Sequence, residues 1–190
     1  SLSPGYATQS FYSLQEGEVA NVNNTDWDIA FMTDAFNSSI LINDNVATAL
    51  FLYSSDVSDW ATVDTTGLEW NGLYNSETEW ERGAFTSPQI DSDPFDYGWG
   101  QYNSVTHVVT GNRIFIVKLG NGDYKKVILE ALDLGTYTFK YADIDGSNEI
   151  TETVNSSDYG TKNFWYYSMQ TQEVIDREPA SDTWDITFTR

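Results

Sequence analysis

The sequence predicts an all-β protein, an antiparallel sandwich or barrel-like arrangement of sheets with few or short helices. Three observations lead there. Apolar and polar residues alternate with period two in several runs, tight-turn signals separate those runs, and no segment keeps a helical period for much more than two turns.

The runs come in order along the chain. Trp27-Asp28-Ile29-Ala30-Phe31 alternates bulky apolar with small or polar groups, and sets Trp27, Ile29 and Phe31 on one face. Val46 to Tyr53 is a further strand candidate, although Thr48 to Asp56 also has room for one short helix. Ile114-Phe115-Ile116-Val117-Lys118 is rich in β-branched residues, and Tyr124 to Leu132 follows it across Gly120-Asn121-Gly122-Asp123. An Asn-Gly step between two apolar runs is the strongest short-range hairpin signal, because a tight hairpin turn needs positive φ. Thr136-Tyr137-Thr138-Phe139-Lys140-Tyr141 alternates aromatic and polar residues cleanly, and Asp145-Gly146 marks the next turn. Only four prolines and no Pro/Gly/Ser-rich linker interrupt the chain, so no domain boundary stands out.

Composition narrows the function. Nine basic against 29 acidic residues leave a net charge of −20 over 190 residues. A polyanion of this kind is a poor partner for nucleic acid or anionic lipid, since both are bound through Lys and Arg. Aromatic residues make up 15% of the chain, too much apolar mass for a disordered acidic tail. No run of about 18 apolar residues exists to span a membrane as a helix. Cysteine is absent, which removes disulfides, thiolate metal sites and Cys nucleophiles together. Ser1-Leu2-Ser3-Pro4 has no initiator Met and no signal-like character, so the chain reads as a mature or excised piece, and its acidity points to export or a surface location. The first 81 residues carry no Lys or Arg, whereas five of the nine basic residues fall between Arg113 and Lys140. At this composition that asymmetry reads first as a solvated acidic surface.

An internal repeat is visible. Phe11-Tyr12-Ser13-Leu14-Gln15-Glu16-Gly17-Glu18-Val19 matches Tyr166-Tyr167-Ser168-Met169-Gln170-Thr171-Gln172-Glu173-Val174, and each copy is followed by a Trp-Asp-Ile-x-Phe run, at Trp27–Phe31 and Trp184–Phe188. Each copy offers a strand, an acidic turn and a further strand with a bulky face that must find a partner. Residues 142–190 therefore either pack as extra strands on a 1–141 core, the favoured expectation, or open a second tandem domain.

Candidate sites are few. His107 is the only histidine, and alternation through Val105-Thr106-His107-Val108-Val109 puts it on one strand face with Val105 and Val109. It reads as a structural histidine or as a haem or metal ligand. No Gly-x-Ser-x-Gly elbow accompanies it, so a hydrolytic triad has no support. Glu77, Glu79 and Glu81 alternate about Trp80 and would share one strand face; a solvated face is the ordinary outcome, although paired carboxylates are also what a glycosidase uses. Asp143, Asp145 and Glu152 fit positions 3, 5 and 12 of a calcium loop around Gly146, but Tyr141 falls at position 1 and the flanks read as strand, so an Asp-Gly hairpin is the better account. Asn23, Asn37 and Asn155 lie in Asn-x-Ser/Thr sequons, too common a pattern to decide anything. The informative stretch is Phe95-Asp96-Tyr97-Gly98-Trp99-Gly100-Gln101-Tyr102-Asn103, four rings and two glycines beside His107, with Trp60, Trp70 and Tyr74 upstream. Such rings either fill the core or form a flat surface for a flat ligand.

Taken together, Phe11–Val19, Trp27–Phe31, Asn112–Lys118 and Asn121–Val127 resemble, in order and over about residues 8–141, the HmuY-like haem-binding proteins of Bacteroidota-type bacteria. The resemblance implies a sheet-rich fold, secretion or display on the outer surface of a Gram-negative cell, no enzymatic activity, and capture of haem or a related tetrapyrrole in exchange with an outer-membrane receptor. It implies axial ligands of the His or Met type. Counted back from Arg113, the downstream one falls near Gln101 or Tyr102, and the upstream one between Gly67 and Arg82, where there is neither His nor Met. Met32 and Met169 lie in other segments. The iron would then rest on His107, or on Tyr102 as tyrosinate, with Trp99 and Tyr97 stacking on the ring. The competing expectations are a surface interaction or structural β-module that binds no haem, and a carbohydrate-active enzyme or lectin.

Overall fold

The alternating runs become strands, and the Asn-Gly and Asp-Gly steps become turns. A computed structural model describes residues 7–34, 37–79 and 81–189. They form fifteen strands in three antiparallel sheets, with helical character limited to short 3₁₀ segments. Trp80 lies outside the described residues. No helix among those described is long and apolar enough to cross a membrane.

The largest sheet is built on β10 (Tyr124–Asp133) and β11 (Thr136–Asp143), paired along their whole length. Beyond β11 lies β12 (Ile150–Asn155). The other edge of β10 is shared: its first half pairs with β9 (Ile114–Lys118), while Ala131 and Leu132 pair with β8 (Val109–Gly111). A register shift between Leu129 and Ala131 divides the two halves. A bulge of this kind bends the strand and redirects what it carries. From β9 the sheet continues to β5 (Ala49–Ser54) and the two-residue β6 (Gly72–Leu73), and from β8 it continues to β7 (Gly100–Tyr102). The strand candidate Val46 to Tyr53 appears as β5, and the one short helix for which Thr48 to Asp56 had room does not form there. Leu50 from β5 is fully buried, and pairing with β9 on one side and β6 on the other overrides any local helical tendency.

The second sheet runs β14 (Glu173–Ile175), β13 (Phe164–Ser168), β3 (Ile29–Met32) and β4 (Ile40–Ile42). The third runs β15 (Ile186–Phe188), β1 (Thr8–Ser13) and β2 (Gly17–Asn23). The second sheet is buried on both faces. Ile29, Phe31, Trp165, Tyr167 and Met169 face the largest sheet and join Phe115, Val127, Phe139 and Tyr141 in the main core. Trp27, Ala30, Met32, Phe164 and Tyr166 form a smaller apolar cluster on the other side. The expectation that Trp27, Ile29 and Phe31 share one face is therefore corrected. The chain bends at Asp28, which anchors to β13 through its N–H to Tyr167 O (2.9 Å), and Trp27 leaves the Ile29/Phe31 face for that of Ala30.

In the main core, Phe31 and Trp165 stack at 3.9 Å with an interplanar angle of 3°, and Tyr141 and Tyr167 share a buried hydroxyl–hydroxyl bond of 2.9 Å. Burying a side chain of this size contributes roughly 1.5–3 kcal/mol. The Phe31–Tyr137 contact at 4.9 Å, the Phe139–Tyr167 contact at 5.0 Å and the Tyr141–Tyr167 bond tie the second sheet to the largest one.

Candidate aromatic face on the β7–β8 hairpin

β7 and β8 stand on the second half of β10, and their pairing depends on glycine. Gly100 lies opposite Gly111, and a β-carbon on Gly111 would fall 1.7 Å from the carbonyl oxygen of Leu129. No side chain fits there, so β8 reaches β10 only because Gly111 lacks one, while a β-carbon on Gly100 would fall 2.7 Å from Thr110 O within the hairpin itself.

The segment before β7 is locked from beneath. Arg113, 6% exposed, forks onto Asp96, 1% exposed, with Nη1–Oδ1 and Nη2–Oδ2 both 2.8 Å. Asp96 also accepts the backbone N–H groups of Ile90 and Gly98, each at 2.9 Å. Burial pulls the Asp96 pKa upward, but the bonds from Arg113, Gly98 and Ile90 outweigh it and hold the carboxyl below its ordinary range. The 95–99 stretch is thereby fixed as a shaped loop.

Three rings line up on this support. Tyr97 and Tyr102 stack at 5.6 Å and 3°, and Phe95 joins Tyr102 at 6.1 Å and 27°. Burial raises the Tyr97 hydroxyl pKa, with Tyr102 adding to the effect. The turn beyond β7 is closed by Asn103, whose side-chain oxygen accepts the N–H groups of Val105 (2.9 Å) and Thr106 (3.2 Å). It is closed again by His107 N–H to Asn103 O at 2.7 Å. His107 sits at φ +60°, a left-handed conformation that turns the backbone back into β8. Its Nδ1 lies 2.6 Å from the Tyr102 hydroxyl.

Two sequence expectations are corrected here. His107 does not share a strand face with Val105 and Val109: Val105 is 86% exposed on the turn, whereas Val109 is 3% exposed in the core, because the Asn103 turn interrupts the alternation. Trp99 cannot stack on a ligand. It is fully buried against Tyr137 and donates its indole N–H to Ser38 O at 3.1 Å. Gln101 leaves the other side of β7 and donates to Asp93 at 3.0 Å. The structure thus brings together Tyr97, Tyr102 and His107, adds Phe95, and separates Trp99 and Gln101 from them.

The remaining candidates disperse. Glu77, Glu79 and Glu81 are exposed on a loop rather than on a strand, since the chain turns there with Arg82 N–H on Glu79 O. Asp143 and Asp145 sit on the β11–β12 turn, where Asp143 pairs with Lys125 and accepts Asn148, and Asp145 accepts Ser147. Glu152 lies on β12 and accepts the Tyr167 hydroxyl at 3.0 Å. The calcium-loop reading is corrected accordingly: Asp145-Gly146 is a hairpin turn, and the strand geometry carries Glu152 away from the other two carboxylates. Among the described residues no group of three or more His, Asp or Glu is placed to hold a metal ion.

A second concave region was not foreseen. The second and third sheets face each other across a pocket of about 200 Å³, lined by Phe11, Trp27, Tyr166, Trp184, Asn45 and Glu178 among others. The indole N–H groups of Trp27 and Trp184 and the Asn45 side-chain oxygen are buried without a hydrogen-bond partner among the described residues. At its edge, Arg177 lies 5.6 Å over Trp27 and 4.9 Å over Tyr166, donates to Gln9 at 2.7 Å and forms an ion pair with Asp26 at 3.1 Å. The only hint in the sequence was the repeated Trp of the Trp-Asp-Ile-x-Phe runs.

A family model described as HmuY protein matches residues 5–141, which takes in β1 to β10, most of β11 and the whole aromatic face. No curated protein and no solved structure matches the chain.

Proposed function

The chain belongs to the HmuY family, and from that premise we propose that it is an extracytoplasmic, non-enzymatic protein that captures haem or a related flat tetrapyrrole on the Phe95–Tyr97–Tyr102–His107 face and passes it to an outer-membrane receptor. The observation that carries this reading is the 2.6 Å contact between Tyr102 and His107. A ligating histidine commonly donates its second ring N–H to a fixed partner, which sets the tautomer and orients the ring. With its proton on Nδ1 directed at the Tyr102 oxygen, His107 keeps a lone pair on Nε2, and the ring is exposed.

The residues fit such a group in part. His107 Nε2 would hold the iron from one side, and the half-exposed rings of Phe95, Tyr97 and Tyr102 offer apolar surface for the macrocycle. Haem supplies a Lewis-acidic iron and a broad apolar face. Tyr102 orients His107, and the Asn103 turn fixes both. With His107 as its one strong protein ligand, the iron would be held more weakly than between two such ligands.

Titration of the purified protein with haemin tests this. A saturable Soret change is expected, lost in His107→Ala, weakened in Tyr102→Phe, and retained in Gln101→Ala, whose side chain is tied to Asp93 instead. A flat titration of the unaltered protein overturns the proposal. It would favour a surface interaction module instead, a reading supported by the half-exposed Tyr12, Ile186 and Phe188 on the third sheet.

A further inference from the structure

Each copy of the sequence repeat folds its own hairpin, β1–β2 and β13–β14, but neither hairpin receives its own Trp-Asp-Ile-x-Phe strand. β1 of the first copy pairs with β15 of the second, and β13 of the second pairs with β3 of the first. The registers correspond residue for residue. Tyr12 faces Ile186 as Tyr167 faces Ile29, Phe11 faces Thr187 as Tyr166 faces Ala30, and Ser10 faces Phe188 as Trp165 faces Phe31.

The anchoring contacts correspond as well. Asp185 N–H donates to Tyr12 O and Asp28 N–H to Tyr167 O, both at 2.9 Å. The Asp185 carboxylate accepts Leu14 N–H at 2.7 Å, and that of Asp28 accepts Met169 N–H at 2.8 Å. Phe11 meets Trp184 edge-on at 5.0 Å and 70°, and Tyr166 meets Trp27 edge-on at 5.0 Å and 79°.

Topology explains why neither copy completes itself. The Trp-Asp-Ile-x-Phe strand lies antiparallel to the first strand of a hairpin, hence parallel to the second. A parallel crossover needs about a dozen residues or more. Only residues 24–28 join β2 to β3, and only 176–185 join β14 to β15. Each hairpin must take its strand from another copy of the motif.

The two docked strands are not held equally. β3 lies inside its sheet, with β4 on its far side and Ile29 and Phe31 fully buried. β15 is an edge strand with three paired residues, and Ile186 and Phe188 are 39% and 47% exposed. Its release uncovers the edge of β1 and leaves the other two sheets intact.

We propose that β1 is a strand-receiving edge for a Trp-Asp-Ile-x-Phe segment, and that a second copy of this chain donates its β15 there reciprocally, giving a closed strand-exchanged dimer. The contacts formed between chains are those broken within each chain, so the exchange costs little beyond bringing two chains together. The short tether gives the closed monomer a high effective concentration of strand, so the dimer grows with protein concentration.

The absence of native cysteine permits a direct test on the full chain. Facing cross-strand positions lie within disulfide range. Tyr12→Cys and Ile186→Cys single variants are mixed at high concentration under slow oxidation, beside a control mixture of Tyr12→Cys with Val105→Cys, whose cysteine lies on the β7–β8 turn. The double variant Tyr12→Cys/Ile186→Cys reports the pairing within one chain. The expected result is closure of the double variant as a monomer, together with a covalent 12–186 dimer in the mixture several-fold above the control. Closure of the double variant with no excess dimer in the mixture overturns the exchange. Failure of the double variant to close overturns the pairing itself.

Discussion

The carboxylate of Asp28 accepts the backbone N–H of Met169 at 2.8 Å, across 141 residues of chain. It also accepts Gln170 Nε2 at 3.0 Å and the Ser168 hydroxyl at 3.4 Å, and the residue is fully buried. One side chain thus fastens the β13–β14 turn to the start of β3. Asp185, the corresponding residue beside β15, fastens Leu14 but is exposed.

The two aspartates should therefore differ in weight. Asp28→Ala leaves a buried backbone N–H and an amide without partners, at about 1–3 kcal/mol for each such group. Asp185→Ala lets water replace the carboxylate and should cost about 1 kcal/mol or less. Urea unfolding midpoints check this: a large shift is expected for the first variant and a small one for the second, and equal shifts would contradict it.

Removing one member of the buried Asp96–Arg113 pair strands the other. Arg113→Met is expected to cost about 3–5 kcal/mol. Because Asp96 holds the loop carrying Phe95 and Tyr97, the variant should also lose haemin binding under conditions where it remains folded. Denaturant unfolding with haemin titration on the same samples separates the two effects.

Stability should peak on the acid side of neutral. Burial raises the carboxyl pKa values of Asp28, Glu178 and Asp26, in each case against opposing hydrogen bonds or the Arg177 charge. Between their ordinary and raised values the folded state binds more protons than the unfolded one, so stability increases as pH falls into that window. Asp96 acts in the opposite sense. Its folded pKa is depressed, so its contribution is present above the ordinary carboxylate range and is lost as pH falls through the folded value. Melting temperature is expected to rise from neutral pH, pass a maximum, and then fall. Asp28→Asn should flatten the rising limb.

Gly111 is a steric requirement rather than a conformational one. Gly111→Ala places a methyl group against Leu129 O and should detach β8 from β10, lowering the melting temperature and disturbing the near-ultraviolet signal of the Tyr97–Tyr102 stack. Gly122 has φ +96° with open space around it, so Gly122→Ala carries only left-handed strain of about 1–2 kcal/mol. A larger loss at Gly122 than at Gly111 would be the contrary result.

Local signals carried much of the fold. Asn121-Gly122 turns β9 into β10 and Asp145-Gly146 turns β11 into β12, each with glycine at positive φ. The aromatic alternation of 136–141 appears as the buried Tyr137, Phe139 and Tyr141. Relations between distant segments were not legible. The matching of Phe11–Val19 to Tyr166–Val174 announced two similar units, but which strand each would receive depends on the length of the crossover, not on residue pattern. Trp99 and Tyr97 look equivalent in a Gly-flanked aromatic stretch. The bond to Ser38 and the closeness permitted by Gly100 and Gly111 draw only Trp99 inside. His107 followed a strand rhythm in sequence, and Asn103 broke it by capping the turn.

The bulge at 129–131 lets β10 work as a cantilever. Its first half pairs with β9, while its second half carries the β7–β8 hairpin, whose Val109 still reaches the main core. Residues 103–108 sit at the free tip, outside every ladder of the largest sheet. A substitution at that tip therefore interrupts no ladder pairing and should leave the root of the beam undisturbed.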